Sequence, residues 1–71
     1  MANDICVRFG RRLRELREDR GWSQDYLAQT SGIGRTHISQ LENGRREAGL
    51  RMLETLAGVF EVTAEELLKG V

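Results

Sequence analysis

The densest chemistry in this chain lies between Arg35 and Asn43. With about 100° per residue along a helix, Arg35, Thr36, Ser39, Gln40 and Asn43 share one face, spread over about 140°. Ile38 and Leu41 fall on the opposite side, at about 300° and 240°. Two aliphatic side chains would anchor such a helix, and Arg, Thr, Ser, Gln and Asn would point outward. Those side chains can read base edges: Arg pairs with guanine O6 and N7, Gln or Asn with adenine N6 and N7, and Thr meets a thymine methyl. A solvated helix face has the same mixed polar composition, so this face alone does not decide between the two. His37, at about 200°, lies off it, where packing or a phosphate contact explains it as well as a base contact does.

Other chemistries find less support. Cys6 and His37 form the one conceivable nucleophile and base, on separate helices and with no third orienting group, so the chain reads as no enzyme. One histidine and one cysteine are too few for a structural zinc site, and no metal or cofactor is expected. A small-molecule ligand is not expected either, because a domain this size has little room for a pocket of ~300 Å³. A single cysteine makes no internal disulfide; it fits a reducing cytosol, with dimerisation through Cys6 as the alternative.

At 71 residues the chain is one domain or less, 1–71, and a chain this short buries only about 60% of its unfolded surface. Hydrophobic residues make up 39% and charged residues 31%, as in ordinary globular domains. No apolar run approaches the ~20 residues of a membrane span, and Met1-Ala2-Asn3-Asp4-Ile5 does not open a secretory signal, so a cytoplasmic protein without a membrane partner is expected. Net charge is zero but unevenly placed. Residues 1–51 hold ten arginines and seven acids, whereas residues 52–71 hold Lys69 against Glu54, Glu61, Glu65 and Glu66. A basic front and an acidic tail point to an oriented partner surface. The preference for Arg over Lys suits bidentate recognition of phosphates and bases; a GC-rich genome would produce it too.

With no proline and few β-branched runs, helices are favoured. The first should run from about Ile5 to Arg20, with Phe9, Leu13 and Leu16 on one stripe and Gly21 as its left-handed stop. Ser23 caps the second, Asp25 suits its first turn, and Leu27 and Ala28 face inward with Tyr26 alongside. Ser31-Gly32-Ile33-Gly34 is a tight connection. The third helix runs from about Arg35 to Glu42 and stops at Asn43-Gly44. A fourth, from about Leu50 to Phe60, carries Leu53, Leu56, Ala57 and Phe60 on one stripe, and Gly58 inside it would allow close helix approach. Thr63-Ala64-Glu65-Glu66 reads as a capping box for a short fifth helix holding Leu67 and Leu68. The expected fold class is all-α, a compact five-helix bundle.

The stretch WSQDYLAQTSGIGRTHISQLENG, Trp22 to Gly44, resembles the helix-turn-helix of the lambda-repressor-like (Cro/CI, XRE) family, and the resemblance extends from Phe9 to Leu68. Its most specific pieces are SQDYLA, the glycine turn, ISQLENG and VTAEELL. It implies a bundle whose third helix enters the DNA major groove. Carried over residue by residue, it implies base contacts for Arg35, Thr36 and Gln40, with Ser39 and His37 flanking them. Gln24 matches a glutamine that contacts phosphate and supports a base-reading side chain. Asn43 and the Gly44 backbone match a phosphate clamp. Arg45 and Arg46 would add phosphate contacts, although loop solvation also accounts for them. Phosphate contacts set register, while base contacts set sequence. The resemblance further implies a partly buried structural salt bridge between Arg17 and Glu42.

One such domain reads only a short half-site, so a homodimer on a near-palindromic operator of double-stranded DNA is expected, with half-sites about 34 Å apart. Val62, Leu67, Leu68 and Val71, with Phe60 nearby, are the expected dimer contacts, unless they simply fill the core. Within the family, GRTHIS is similar to restriction–modification controller proteins, and small phage repressors are comparably close. The alternative is an antitoxin of the same fold that binds a toxin protein and represses its own gene.

Overall fold

In a computed structural model the described residues, 4–71, form five helices and no strand: α1 (Ile5–Asp19), α2 (Gln24–Ser31), α3 (Arg35–Glu42), α4 (Leu50–Phe60) and α5 (Ala64–Leu67). Side chains cap the starts of α1, α2 and α5, whereas α3 and α4 begin at Gly34 and Gly49 without one. The Asp4 carboxylate accepts the Cys6 amide at 2.8 Å, the Ser23 hydroxyl that of Tyr26 at 3.0 Å, and the Thr63 hydroxyl that of Glu66 at 3.0 Å. The Glu66 side chain does not complete the expected capping box. It turns instead to Arg12, whose Nη2 lies 3.2 Å from its Oε2.

Three helices end with the same pair of bonds. Trp22 N–H donates to Arg17 C=O and Gly21 N–H to Glu18 C=O; Arg45 and Gly44 repeat this on Gln40 and Leu41, and Val62 and Glu61 on Ala57 and Gly58. This motif needs a left-handed residue just past the helix. Gly21 and Gly44 supply it at φ 71° and 70°, but at the end of α4 the position falls to Glu61, at φ 58°. A side chain there costs about 1–2 kcal/mol. Glu61→Gly is expected to raise stability by about 1 kcal/mol, the remainder being lost to glycine's greater unfolded freedom. A thermal melt with an unchanged or lower midpoint would count against that account.

The core is continuous through the bundle: Phe9, Leu13 and Leu16 of α1, Leu27 of α2, Ile33 of the turn, Ile38 and Leu41 of α3, Leu56, Ala57 and Phe60 of α4, and Leu67 of α5. Trp22 stacks on Phe60 with centroids 5.0 Å apart, and the Arg20 guanidinium lies over both rings while donating to the Phe60 carbonyl at 2.9 Å. The close helix approach occurs at Gly10, not Gly58. A Cβ on residue 10 would fall within 3 Å of the backbone of Leu41 and Glu42, whereas one on Gly58 would meet open space. Gly44 is close to α1 as well, its Cβ position 2.8 Å from Val7 Cγ2 and 2.9 Å from Val7 Cα. α1 therefore lies directly on the backbone where α3 ends.

Several basic residues of α1 serve the fold. Arg12 donates to the carbonyls of Glu66 and Leu67 at 2.6 and 3.2 Å, and Arg8 to that of Val71 at 2.8 Å. Together with Arg17 and Arg20 they hold the bundle together, so the arginine excess of the front segment is only partly available to a partner.

Candidate nucleic-acid interface

α3 presents the side chains its sequence places outward. Ile38 and Leu41 are fully buried, while Arg35 and Thr36 are exposed and Ser39 and Gln40 half-buried at the surface. Gln24, from the start of α2, and Arg45, just past α3, join these four around one shallow depression. His37 is half-buried and does not line it. The Ser31–Gly34 turn sets the two helices at this angle: Gly32 takes φ 76° and the Ser31 hydroxyl accepts the Ile33 amide at 3.1 Å.

Orientation of α3 depends on one buried ion pair. Arg17 Nε donates to Glu42 Oε2 at 2.6 Å and Arg17 Nη2 to Glu42 Oε1 at 3.0 Å, with side chains 9% and 1% exposed. Each partner has a further contact: Arg17 Nη1 donates to the Trp22 carbonyl at 2.8 Å, and Glu42 Oε1 also accepts from Gln24 Nε2 at 3.1 Å. Bonding to the Glu42 carboxylate, against the cost of burial, holds the Arg17 guanidinium above its ordinary range. Gln24 thus touches the structural pair on one side and the depression on the other. No sequence periodicity reveals that link, because residues 17, 24 and 42 meet only through the packing of three segments.

The other outward residues are lightly tethered. Arg35 Nε is 3.4 Å from Asp25 Oδ1, both exposed. Asn43 Nδ2 reaches Ser39 Oγ at 3.4 Å, and Arg46 Nη1 donates to Gln40 Oε1 at 3.0 Å. The two contacts at 3.4 Å, those of Arg35 and Asn43, are worth at most ~1 kcal/mol, so an incoming phosphate or base can displace them.

A second feature is apolar. Ile5, Cys6, Phe9, Ala48, Leu53, Leu68 and Val71 line a groove bordered by Arg46 and Glu47, and Leu50 projects beside Leu53 with 85% of its surface exposed. Of the residues expected to meet a second copy, Leu68 and Val71 line this groove, while Val62 packs half-buried against the core. Leu67 is a correction: it is fully buried and has no side-chain surface for a partner. Ile5 and Leu50, both exposed, went unnoticed in the sequence. Extending the α1 and α4 stripes back by one turn would have reached them. Burial and the Asp4 carboxylate push the Cys6 thiol up, which keeps it protonated and a poor nucleophile.

Among the described residues no cluster of His, Cys, Asp or Glu could hold a metal ion, and no helix is long and apolar enough to cross a membrane. The helix-turn-helix family profile (HTH_3) matches residues 13–67. Control protein C.MunI of Mycoplasma sp is 36% identical over 70 residues, covering 97% of this chain and 95% of that protein. The HTH-type transcriptional regulator DdrOP3 of Deinococcus deserti is 40% identical over 60 residues, but the match covers only 46% of its length. Among solved structures, the restriction-modification controller protein C.AhdI from Aeromonas hydrophila superposes with a TM-score of 0.84 at 40% identity, covering 87% of this chain and 94% of that one.

Proposed function

This chain belongs to the helix-turn-helix family and is a DNA-binding transcription regulator, not an enzyme; from that premise we propose that it binds a near-palindromic operator as a homodimer with α3 in the major groove. The observation that carries this reading is the depression formed by Gln24, Arg35, Thr36, Ser39, Gln40 and Arg45. It gathers base-reading side chains of α3 between phosphate-binding residues on either side. Arg35, Thr36, Ser39 and Gln40 read bases. Gln24, Asn43, Arg45 and Arg46 hold phosphates and set register. Because its ligand is chromosomal or plasmid DNA, the protein works in the cytoplasm.

The second copy seats on the apolar groove, with Ile5, Leu50, Leu53, Leu68 and Val71 as its contacts. Exposed leucines such as Leu50 and Leu68 lose water there, and α3 stays outside the contact. The similarity to controller proteins along nearly their whole length favours a regulator of that kind over an antitoxin.

The test is selection of binding sites from random duplex DNA at two salt concentrations, since an affinity without its salt value is uninterpretable. A near-palindrome with half-sites one helical turn apart is expected. Only weak binding without a motif would defeat the reading. Arg35→Ala is expected to lose about 1–3 kcal/mol and relax one position, whereas Arg45→Ala weakens binding to all sequences alike and lowers the salt slope by about one.

A further inference from the structure

Gln40 and Arg46 meet on the outer face of α3. Arg46 Nη1 donates to Gln40 Oε1 at 3.0 Å. The contact is built into the turn: Arg45 N–H donates to the carbonyl of Gln40 itself at 2.9 Å, and Gly44 N–H to that of Leu41 at 3.1 Å. The backbone leading to Arg46 is therefore pinned to the residue its side chain touches. A guanidinium carries only donors, so it can approach the amide only at its oxygen. This fixes which end of the amide is occupied and which end is free.

We infer that Gln40 and Arg46 act as one reading unit that specifies guanine, with Arg46 the positioning residue that sets the Gln40 amide. A free glutamine reads adenine by accepting from N6 and donating to N7. Here the accepting oxygen already holds a charged donor, and adenine N6 would have to join a cation on the same atom. The free group is Nε2, which carries two hydrogens. Guanine offers two acceptors, O6 and N7, on the same edge. The Arg46 charge beside the amide favours that edge further and disfavours an amino group. The second lone pair of Oε1 stays open but lies beside the Arg46 cation, which repels an approaching amino group, so the unit favours acceptors and the base opposite it is guanine, not the adenine a lone glutamine suggests.

This rests on the operator reading, and one experiment separates the two. Sites are selected from random duplex DNA with the unaltered protein, with Gln40→Ala and with Arg46→Met, which keeps an unbranched stem but removes the donors. Gln40→Ala identifies the position that Gln40 reads, as the one that loses its preference. The expected result is guanine there in the unaltered protein, by about tenfold over adenine, and a change to adenine in Arg46→Met with all other positions kept. A residue that merely held a phosphate would weaken every site and change no letter. Adenine at that position in the unaltered protein, guanine retained in Arg46→Met, or no position that depends on Gln40 would each overturn the inference and leave the operator reading standing. A library that returns no motif overturns the operator reading, and the inference with it.

Discussion

Glu42→Ala will cost about 3–5 kcal/mol of folding stability, because it strands a buried charge. Arg17 would retain one partner, the Trp22 carbonyl at 2.8 Å, and lose both of its carboxylate bonds in a site where its side chain is 9% exposed. Gln24 would lose its acceptor in the same step. A domain of this length has a total stability of about 4–10 kcal/mol, so the variant lies near the edge of folding. Urea unfolding followed by circular dichroism gives the value. A loss below about 1 kcal/mol, as for exposed pairs, would mean the pair is not what orients α3. Arg17→Met combined with Glu42→Met separates burial from charge. With both charges gone, most of the stability returns, since apolar replacements of buried pairs are often neutral. DNA affinity does not return with it in full, because Gln24 still lacks its partner.

Gly10→Val is the second large effect, at about 3 kcal/mol or more. The added Cβ alone would lie 2.6 Å from the Glu42 carbonyl oxygen and 2.9 Å from the Glu42 carbonyl carbon. These are backbone atoms, so no rotamer change relieves the overlap. α1 must lift off the end of α3, and Arg17 moves with it. Gly58→Ala is the matching control. It too lies within a helix, but its Cβ would meet open space, so relief of the glycine penalty stabilises by about 0.5–1 kcal/mol. Chemical denaturation of both variants tests the contrast. Equal shifts of the same sign would show that the contact between α1 and α3 is slack.

These two glycines mark where the sequence stops being legible. α3 and α4 run over the expected residues, Arg35–Glu42 and Leu50–Phe60, because their punctuation is local: a glycine turn, an Asn-Gly stop, one apolar stripe. Ser23 and Thr63 act within three residues of themselves and were equally readable. Gly10 and Gly58 look alike in the sequence, as costs in helix propensity, and only the helix crossing distinguishes them. The pairing of Arg17 with Glu42 was available only through the family resemblance, since 25 residues separate the partners. The arginines of α1 misled for a related reason. Charge counts treat Arg8 and Arg12 as free for a partner, while the fold directs them at carbonyls some 55 to 63 residues away. Leu67, expected at a dimer contact, is fully buried, because α5 is too short for a periodicity to show its inner side.

The clamp of Arg8 and Arg12 on α5 has a bearing on how such proteins diverge. It grips main-chain oxygens of Glu66, Leu67 and Val71, and every residue type carries such an oxygen. With Leu67 filling the core and only Glu66 adding a side-chain contact, to Arg12, the other outer residues of α5 can mutate without loosening their own anchorage. The exposed positions Glu65 and Leu68 can therefore change while the seat of α5 on α1 stays as it is.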